Sequence, residues 1–366
     1  MEHLLLSFAS VMQSIGYVVL AIVVLLIMIT VHEFGHYVAG KAFGFGIEEF
    51  AIGFGPKLYS RTRKSGEIFS VRALPIGGFC AFKGEDEDDE DPKAFNNRKP
   101  WQRIIVLVAG ALMNYFLALL LIFVLFGAYG RPAYAVIERE PPAFQSAAED
   151  GVLDNYLKEG DVILTMNGRR VYMATDLMRA VDKKKGGDLL PVTVIRNGET
   201  VELEVKLRRS TSFTNIEDTD ALLTALGLRS LGATNVRVGF FASIGNGFEY
   251  SFRIAGTIFT VLGQLLTGRL GLSSLGGTIT TVSVTADAIR MGGFNYLLMM
   301  SSFIGVNLAV FNLLPIPALD GSRVVFTVIE WIRKKPINRK VEAAIHFGGF
   351  VFLIGFAVLV DILQLF

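Results

Sequence analysis

The stretch IGYVVLAIVVLLIMITVHEFGH, Ile15–His36, decides how the rest of the chain is read. From Ile15 to Val31 it carries no charge, and with its flanks it is long enough for a transmembrane helix of about 20 residues. A cleaved signal peptide would need a basic segment before the run and a small-residue cleavage site after it. The leader MEHLLLSFASVMQS has Glu2 and no Lys or Arg, and the run passes directly into VHEFGHYVAG, so it reads as a retained span. Similar runs at Ile104–Ala128, Phe294–Leu314 and Ile345–Val360 make four expected spans.

Composition agrees. Of 366 residues, 52% are apolar and only 19% charged, against about 25% charged in soluble domains. Lys and Arg number 35 and Asp and Glu 34, a net charge of +1, so no one-signed basic surface points to nucleic acid. The single cysteine, Cys80, excludes an internal disulfide and a cysteine-rich zinc site, so a metal would need His and carboxylate ligands.

Loop charge sets the expected orientation, because Lys and Arg flanking a span stay in the cytoplasm. Basic residues crowd Lys41–Arg103 and Arg323–Lys340. Both loops therefore read as cytoplasmic, with the termini and the segment from about Arg131 to Gly293 outside. Within that segment Phe240–Leu266 is apolar but diluted by Asn246, Glu249, Arg253 and Gln264. A crossing there would carry the last basic loop outside, so it reads as an amphipathic interfacial helix or a re-entrant element.

Ahead of it, alternation returns. Val192 and Val194, an Asn197-Gly198 turn, then Val201, Leu203 and Val205 predict a β-hairpin. The region Ala133–Leu207 resembles a PDZ domain, through the small-residue start at Pro142-Ala143, Gly160-Asp161-Val162-Ile163 and the Asn167-Gly168 turn. Such a domain implies an extended peptide ligand added at a sheet edge; a β-rich spacer without a ligand is the competing reading.

The chemistry lies in HEFGH. On a helix His32 and His36, four apart, share a face and can ligate one metal, with Glu33 beside the open position. A polar cluster that only binds helices together is the competing reading, but His and Glu are costly in a membrane span without a function. Of the chain's four histidines, His3 is at the start and His346 lacks an orienting acid. The third ligand is better sought in a carboxylate, and Asp320 stands in NLLPIPALDGS, at the same expected membrane face, after Pro315 and Pro317. Those prolines should unwind the helix end, which lipid forbids unless the freed carbonyls line a cavity. A loop carboxylate partnering Arg323 is the alternative role for Asp320.

Together these residues resemble the site-2 protease family (peptidase M50), specifically its bacterial RseP type. The resemblance covers HEFGH, GFGP at Gly53–Pro56, LPIGGF at Leu74–Phe79, AFNN at Ala94–Asn97, Gly110 with Asn114, one PDZ domain, LGG at Leu275–Gly277, and NLLPIPALDG ending at Gly321. It departs at Ser322, often glycine in the family, and Thr278, often proline. The resemblance implies His32, His36 and Asp320 as zinc ligands, Glu33 as general base, and Asn312 as the holder of substrate backbone or developing oxyanion. It also implies that Gly66–Phe82 forms a membrane-associated β-hairpin beside the substrate; an ordinary cytoplasmic hairpin is the alternative. The acidic run Glu85–Asp91 reads as a solvated loop.

The expected architecture is a polytopic α-helical membrane protein of about four spans with an inserted β-rich PDZ domain. Its parts are 1–131 with the HExxH helix, hairpin and second span; 132–209, the PDZ domain; 210–293, the interfacial segment; and 294–366 with the LDG motif. The expected activity is zinc endoproteolysis of single-span membrane proteins, anti-sigma factors or signal-peptide remnants, in regulated intramembrane proteolysis in the bacterial plasma membrane. The active site would face the cytoplasm and the PDZ domain the outside. Two alternatives stand: a non-catalytic PDZ-bearing membrane adaptor or metal carrier, and another membrane HExxH peptidase with glutamate as third ligand.

Overall fold

A computed structural model describes residues 2–85, 89–140, 156–211, 213, 218–272 and 275–364, with side chains from residue 12 onward except that of Ile76. Pro142-Ala143 of the PDZ resemblance and 86–88 of the acidic run lie outside the described residues.

Four described helices are long and apolar enough to cross a membrane: Met12–Ala42 of α1 (Glu2–Ala42), α2 (Pro100–Ala128), α6 (Thr278–Asn312) and α8 (Arg339–Leu363). The chain is a membrane protein with a β domain inserted between its second and third spans. Local chemistry sets the helix ends. α1 stops where Gly44 takes a left-handed φ of 71°, a conformation open to glycine at little cost. α2 opens on Pro100, whose missing N–H costs nothing in a first turn. α6 breaks internally at Gly293 (φ 59°, ψ −139°), so its apolar part begins where the third run was read to begin.

The chain packs as two compact units, Met1–Ile122 with Leu272–Phe366, and Phe123–Gly271. In the first, β1 (Ile47–Thr62) and β2 (Ile68–Phe82) form an antiparallel pair whose register doubles back. Ile47–Ile52 pairs with Phe82–Gly78, Glu49–Ile52 pairs also with residues 68–71, and Lys57–Thr62 pairs with Arg72–Ile68. Gly53, Gly55 and Gly77, all at positive φ, allow the bends. Phe45, Phe50, Cys80 and Phe82 pack with Phe95, Val106 and Leu107, fixing this sheet against α1 and α2. α7 (Asp320–Arg333) joins α6 to α8.

The second unit holds a sheet of order β7-β6-β4-β3-β8, with the short β5 (Arg169–Arg170) beside β4. Its strands are β3 (Arg131–Arg139), β4 (Val162–Met166), β6 (Leu189–Arg196), β7 (Glu199–Lys206) and β8 (Leu228–Val236). The 166/169 and 196/199 pairs are closed by Asn167-Gly168 and Asn197-Gly198, each with both residues at positive φ, the tight turn that suits twisted hairpins. Val192, Val194, Leu203 and Val205 are buried, as their alternation requires. Helices α3 (Ala174–Val181) and α4 (Thr219–Leu226) complete this core. α5 (Phe240–Leu266), the diluted apolar stretch, is one continuous helix. Its polar side bonds to the β domain through Arg253 to Asp176, Arg170 to Glu249, and Tyr172 to Asn246 and Glu249.

Candidate metal centre

His32 and His36 sit one turn apart on α1, rings edge to face. Asp320 reaches them from the start of α7. Its carboxylate oxygen Oδ2 is 2.9 Å from His32 Nε2 and 3.2 Å from His36 Nε2, and the two nitrogens are 3.2 Å apart. These are the residues that the sequence brought forward as ligands, and among the described residues they form the metal-capable cluster, one donor from each within 4.8 Å of the others. Donors bonded to a tetrahedral zinc at 2.0–2.1 Å lie about 3.3 Å from one another. The three separations match that edge length within a few tenths of an ångström, and the donor set leaves a fourth position open. The site could hold zinc.

Each donor is aimed by the backbone around it. His36 Nδ1 donates to the Val106 carbonyl at 2.8 Å, which leaves Nε2 unprotonated toward the cluster. The rings fit because two glycines remove side chains at the helix crossing. A Cβ on Gly110 would lie 2.4 Å from His36 Nε2 and 2.8 Å from His32 Cε1. One on Gly35 would meet the Ala109 carbonyl oxygen at 2.4 Å. Asn114, fully buried on the same face of α2 as Gly110, places its amide 3.5 Å from His32 Nδ1.

Asp320 owes its place to the break after α6. Pro315 and Pro317 cannot continue a helix; α6 ends at Asn312, and Ala318 turns the chain at φ 80° before α7 begins. At the first turn of α7 the carboxylate also meets the positive end of the helix dipole. α8 fixes the loop from behind. His346 Nδ1 accepts the Ala318 N–H at 3.1 Å, and Gly349 lets Pro317 approach so closely that a Cβ there would be 2.4 Å from the proline ring. His346 thus stands apart from the ligand cluster and supports the Asp320 loop. Arg323, the alternative partner for Asp320, pairs instead with Glu85.

Glu33 is half-buried, follows His32 in sequence with His36 three residues on, and faces β2, where a Cβ on Gly78 would stand 3.6 Å from Glu33 Cγ. Asn312 is half-buried at the end of α6; among the described residues no hydrogen bond joins its side chain to His32, His36 or Asp320. Gly110 with Asn114 was marked by the family resemblance without a role, and the Val106 carbonyl was not marked at all. The signal available was the four-residue spacing of Val106, Gly110 and Asn114 along an apolar span, with the asparagine as its only strongly polar member.

Comparison with known proteins bears on this geometry. The family model for peptidase family M50 matches residues 20–356. The chain is 33% identical over 351 residues to a Clostridium perfringens protein named "Putative zinc metalloprotease CPE1693", covering 94% of this chain and 97% of that one. It is 30% identical over 404 residues to "Zinc metalloprotease RasP" of Bacillus licheniformis, covering 88% and 92%.

Proposed function

The chain belongs to peptidase family M50 and is a zinc metalloprotease of the site-2 type, and from that premise we propose that it cuts single-span membrane proteins within or near the bilayer. His32, His36 and Asp320 hold the zinc, Glu33 moves the proton, and Asn312 holds substrate backbone or the developing oxyanion. The observation that carries this reading is the convergence of two imidazoles and one carboxylate at tetrahedral spacing, with the acid of the HExxH motif beside them.

When bound, zinc supplies a Lewis acid for the scissile carbonyl and lowers the pKa of water to near 7. The chain does the rest. Glu33 accepts the proton of the attacking water and passes it to the leaving amine. Val106 keeps His36 in the ligating tautomer. A helical substrate hides its carbonyls and must be unwound before water can attack, and unwinding in lipid requires replacement hydrogen bonds. The β1–β2 sheet, running past Glu33 and exposing Phe54, Leu58, Tyr59 and Leu74, suits that task as a membrane-associated strand against which an extended segment can lie.

The inserted β domain is read as a PDZ domain; the sequence reading ends it at 209, but α4 packs in its core and β8 pairs with β3, so the domain runs on to Val236 and the interfacial segment that follows begins with α5. The domain's antiparallel sheet, paired helices and tight Asn-Gly turns support the assignment. In this reading the domain stands outside the bacterial plasma membrane, takes peptide ends, and excludes substrates whose outer part is still bulky. Substrates of the anti-sigma-factor or signal-peptide-remnant kind, in regulated intramembrane proteolysis, follow from the family resemblance.

The test is Glu33→Gln in detergent-purified full-length protein, with zinc content and cleavage of tagged single-span peptides measured beside wild type. Retained zinc with cleavage reduced by about 10²–10⁴-fold is expected. Equal zinc but no cleavage by wild type of any peptide would favour a metal-binding adaptor instead.

A further inference from the structure

α2 presents a polar or open position to the histidines at every fourth residue. Val106 gives a carbonyl to His36 Nδ1, Gly110 gives space to both rings, and Asn114 gives an amide to His32 Nδ1. The two histidines face the same requirement. An imidazole that offers Nε2 to a metal carries its hydrogen on Nδ1, and that hydrogen needs an acceptor. His36 has one. At His32 Nδ1 the Asn114 atom within hydrogen-bond distance is the nitrogen Nδ2, at 3.5 Å, so with the hydrogen on Nδ1 a donor faces a donor. The oxygen Oδ1 of the same amide is buried and has no hydrogen-bond partner.

A carboxamide's nitrogen and oxygen are told apart by the bonds they make. Half a turn about χ2 of Asn114 puts Oδ1 against Nδ1–H and satisfies both mismatched atoms at once. We infer that Asn114 is a positioning residue for the metal centre: its Oδ1 accepts from His32 Nδ1–H, fixing the tautomer and ring orientation that turn Nε2 toward Asp320. The pair Val106–His36 and Asn114–His32 then forms one outer layer, built on a single face of α2. This rests on the zinc reading above and adds a residue to it.

The test is zinc affinity, by titration in chelator-buffered free zinc, of the full-length protein as wild type, Asn114→Leu and Asn114→Asp, with His32→Ala as control. Asn114→Leu keeps the volume and removes the acceptor; about 10–100-fold weaker zinc binding is expected. Asn114→Asp keeps an acceptor and cannot donate, so its affinity should stay close to wild type. The melting temperature of the zinc-stripped protein should be the same for wild type and Asn114→Leu, since the role is exerted on the loaded site. Wild-type affinity in Asn114→Leu would overturn the inference. So would loss in Asn114→Asp as deep as in Asn114→Leu, and that variant decides alone if Asn114→Leu does not fold. Should His32→Ala bind zinc like wild type, the zinc reading itself fails, whatever the Asn114 variants do.

Discussion

Gly110 is a position where the site has no room for a side chain. Its missing side chain is the space that His32 and His36 occupy, so Gly110→Ala must displace the rings or part α1 from α2. Overpacking of this kind costs about 1–3 kcal/mol in stability, but the larger effect should be on chemistry, since misplacing catalytic groups by about 1 Å can cost 10²-fold. We expect Gly110→Ala to remain folded and inserted, to bind zinc more weakly, and to cleave single-span peptides at least about 10²-fold more slowly; side-by-side zinc content and turnover measure this. A folded variant with wild-type turnover would mean that the rings sit elsewhere in the working enzyme. The contrast with the histidines shows what a sequence displays at this scale. His32, His36 and Asp320 could be put forward from the sequence because only a few side chains bind metal, the two histidines are spaced to share a helix face, and Asp320 follows a proline-broken helix end at the same expected membrane face. The Val106 carbonyl carries no residue identity, and Gly110, though marked by the resemblance, acts through an absence, so the role of neither shows until the helices are packed.

Elements are locked together by buried charge near the end of α7. Glu330 takes Arg103 of α2 at 2.6 Å, Arg339 of α8 at 2.9 Å and the backbone N–H of Ile337 at 2.9 Å. Arg103 and Glu330 are 4% and 7% exposed. Removing one member of such a pair strands the other, at a cost of about 3–5 kcal/mol. Glu330→Leu should therefore lower the melting temperature in detergent, well beyond the effect of an exposed change such as Lys64→Ala. The pH dependence has a definite sign. Burial would raise the Glu330 carboxyl, but the Ile337 N–H and the two arginines together hold it below its ordinary value of 4.5. A depressed folded-state pKa contributes stability above the unfolded value that is lost as pH falls. The melting gap between wild type and Glu330→Gln should be full above about pH 4.5 and shrink below it; a gap that widens on acidification would refute the assignment. At this scale the spans were legible because lipid demands long apolar runs, and α5 because its polar residues did not erase its helical apolar pattern. The doubled register of β1 and β2 was not. Each residue of Glu49–Ile52 has two partners far away in sequence, and alternation within one strand cannot tell which other segment will pair with it.

For the whole molecule, sidedness is the property that gives the architecture its use. The β domain is closed on itself: β3 and β8 pair from Arg131 with Val236 to Arg139 with Leu228, and a Cβ on Gly130 would lie 2.8 Å from the nitrogen of Arg237. The chain thus enters and leaves the domain at one point, and an insertion of this kind can be carried between two spans without disturbing their count. If all four apolar helices cross, one crossing, α2, stands in the chain between the β1–β2 turn and the domain, and the proposed topology puts the two on opposite sides of the membrane. The hydropathy of the runs is the ground for that parity, and the excess of Lys and Arg around β1 and β2 the ground for the sign proposed, turn inside and domain outside. Cysteine chemistry can check both, because the only native thiol, Cys80, is buried. Thr200→Cys lies in an exposed position just after the β6–β7 turn, and Lys64→Cys in the exposed β1–β2 turn. A membrane-impermeant maleimide added to intact cells should label Thr200→Cys and leave Lys64→Cys unlabelled until the membrane is permeabilised. The reverse pattern would invert the orientation and place HEFGH at the outer face. Equal labelling of both in intact cells would break the parity, and with it the idea that α2 crosses at all. Only the expected pattern is compatible with the roles proposed above, Glu33 as the proton-transferring base at the cytoplasmic end of α1 and the β domain holding back untrimmed substrates on the far side.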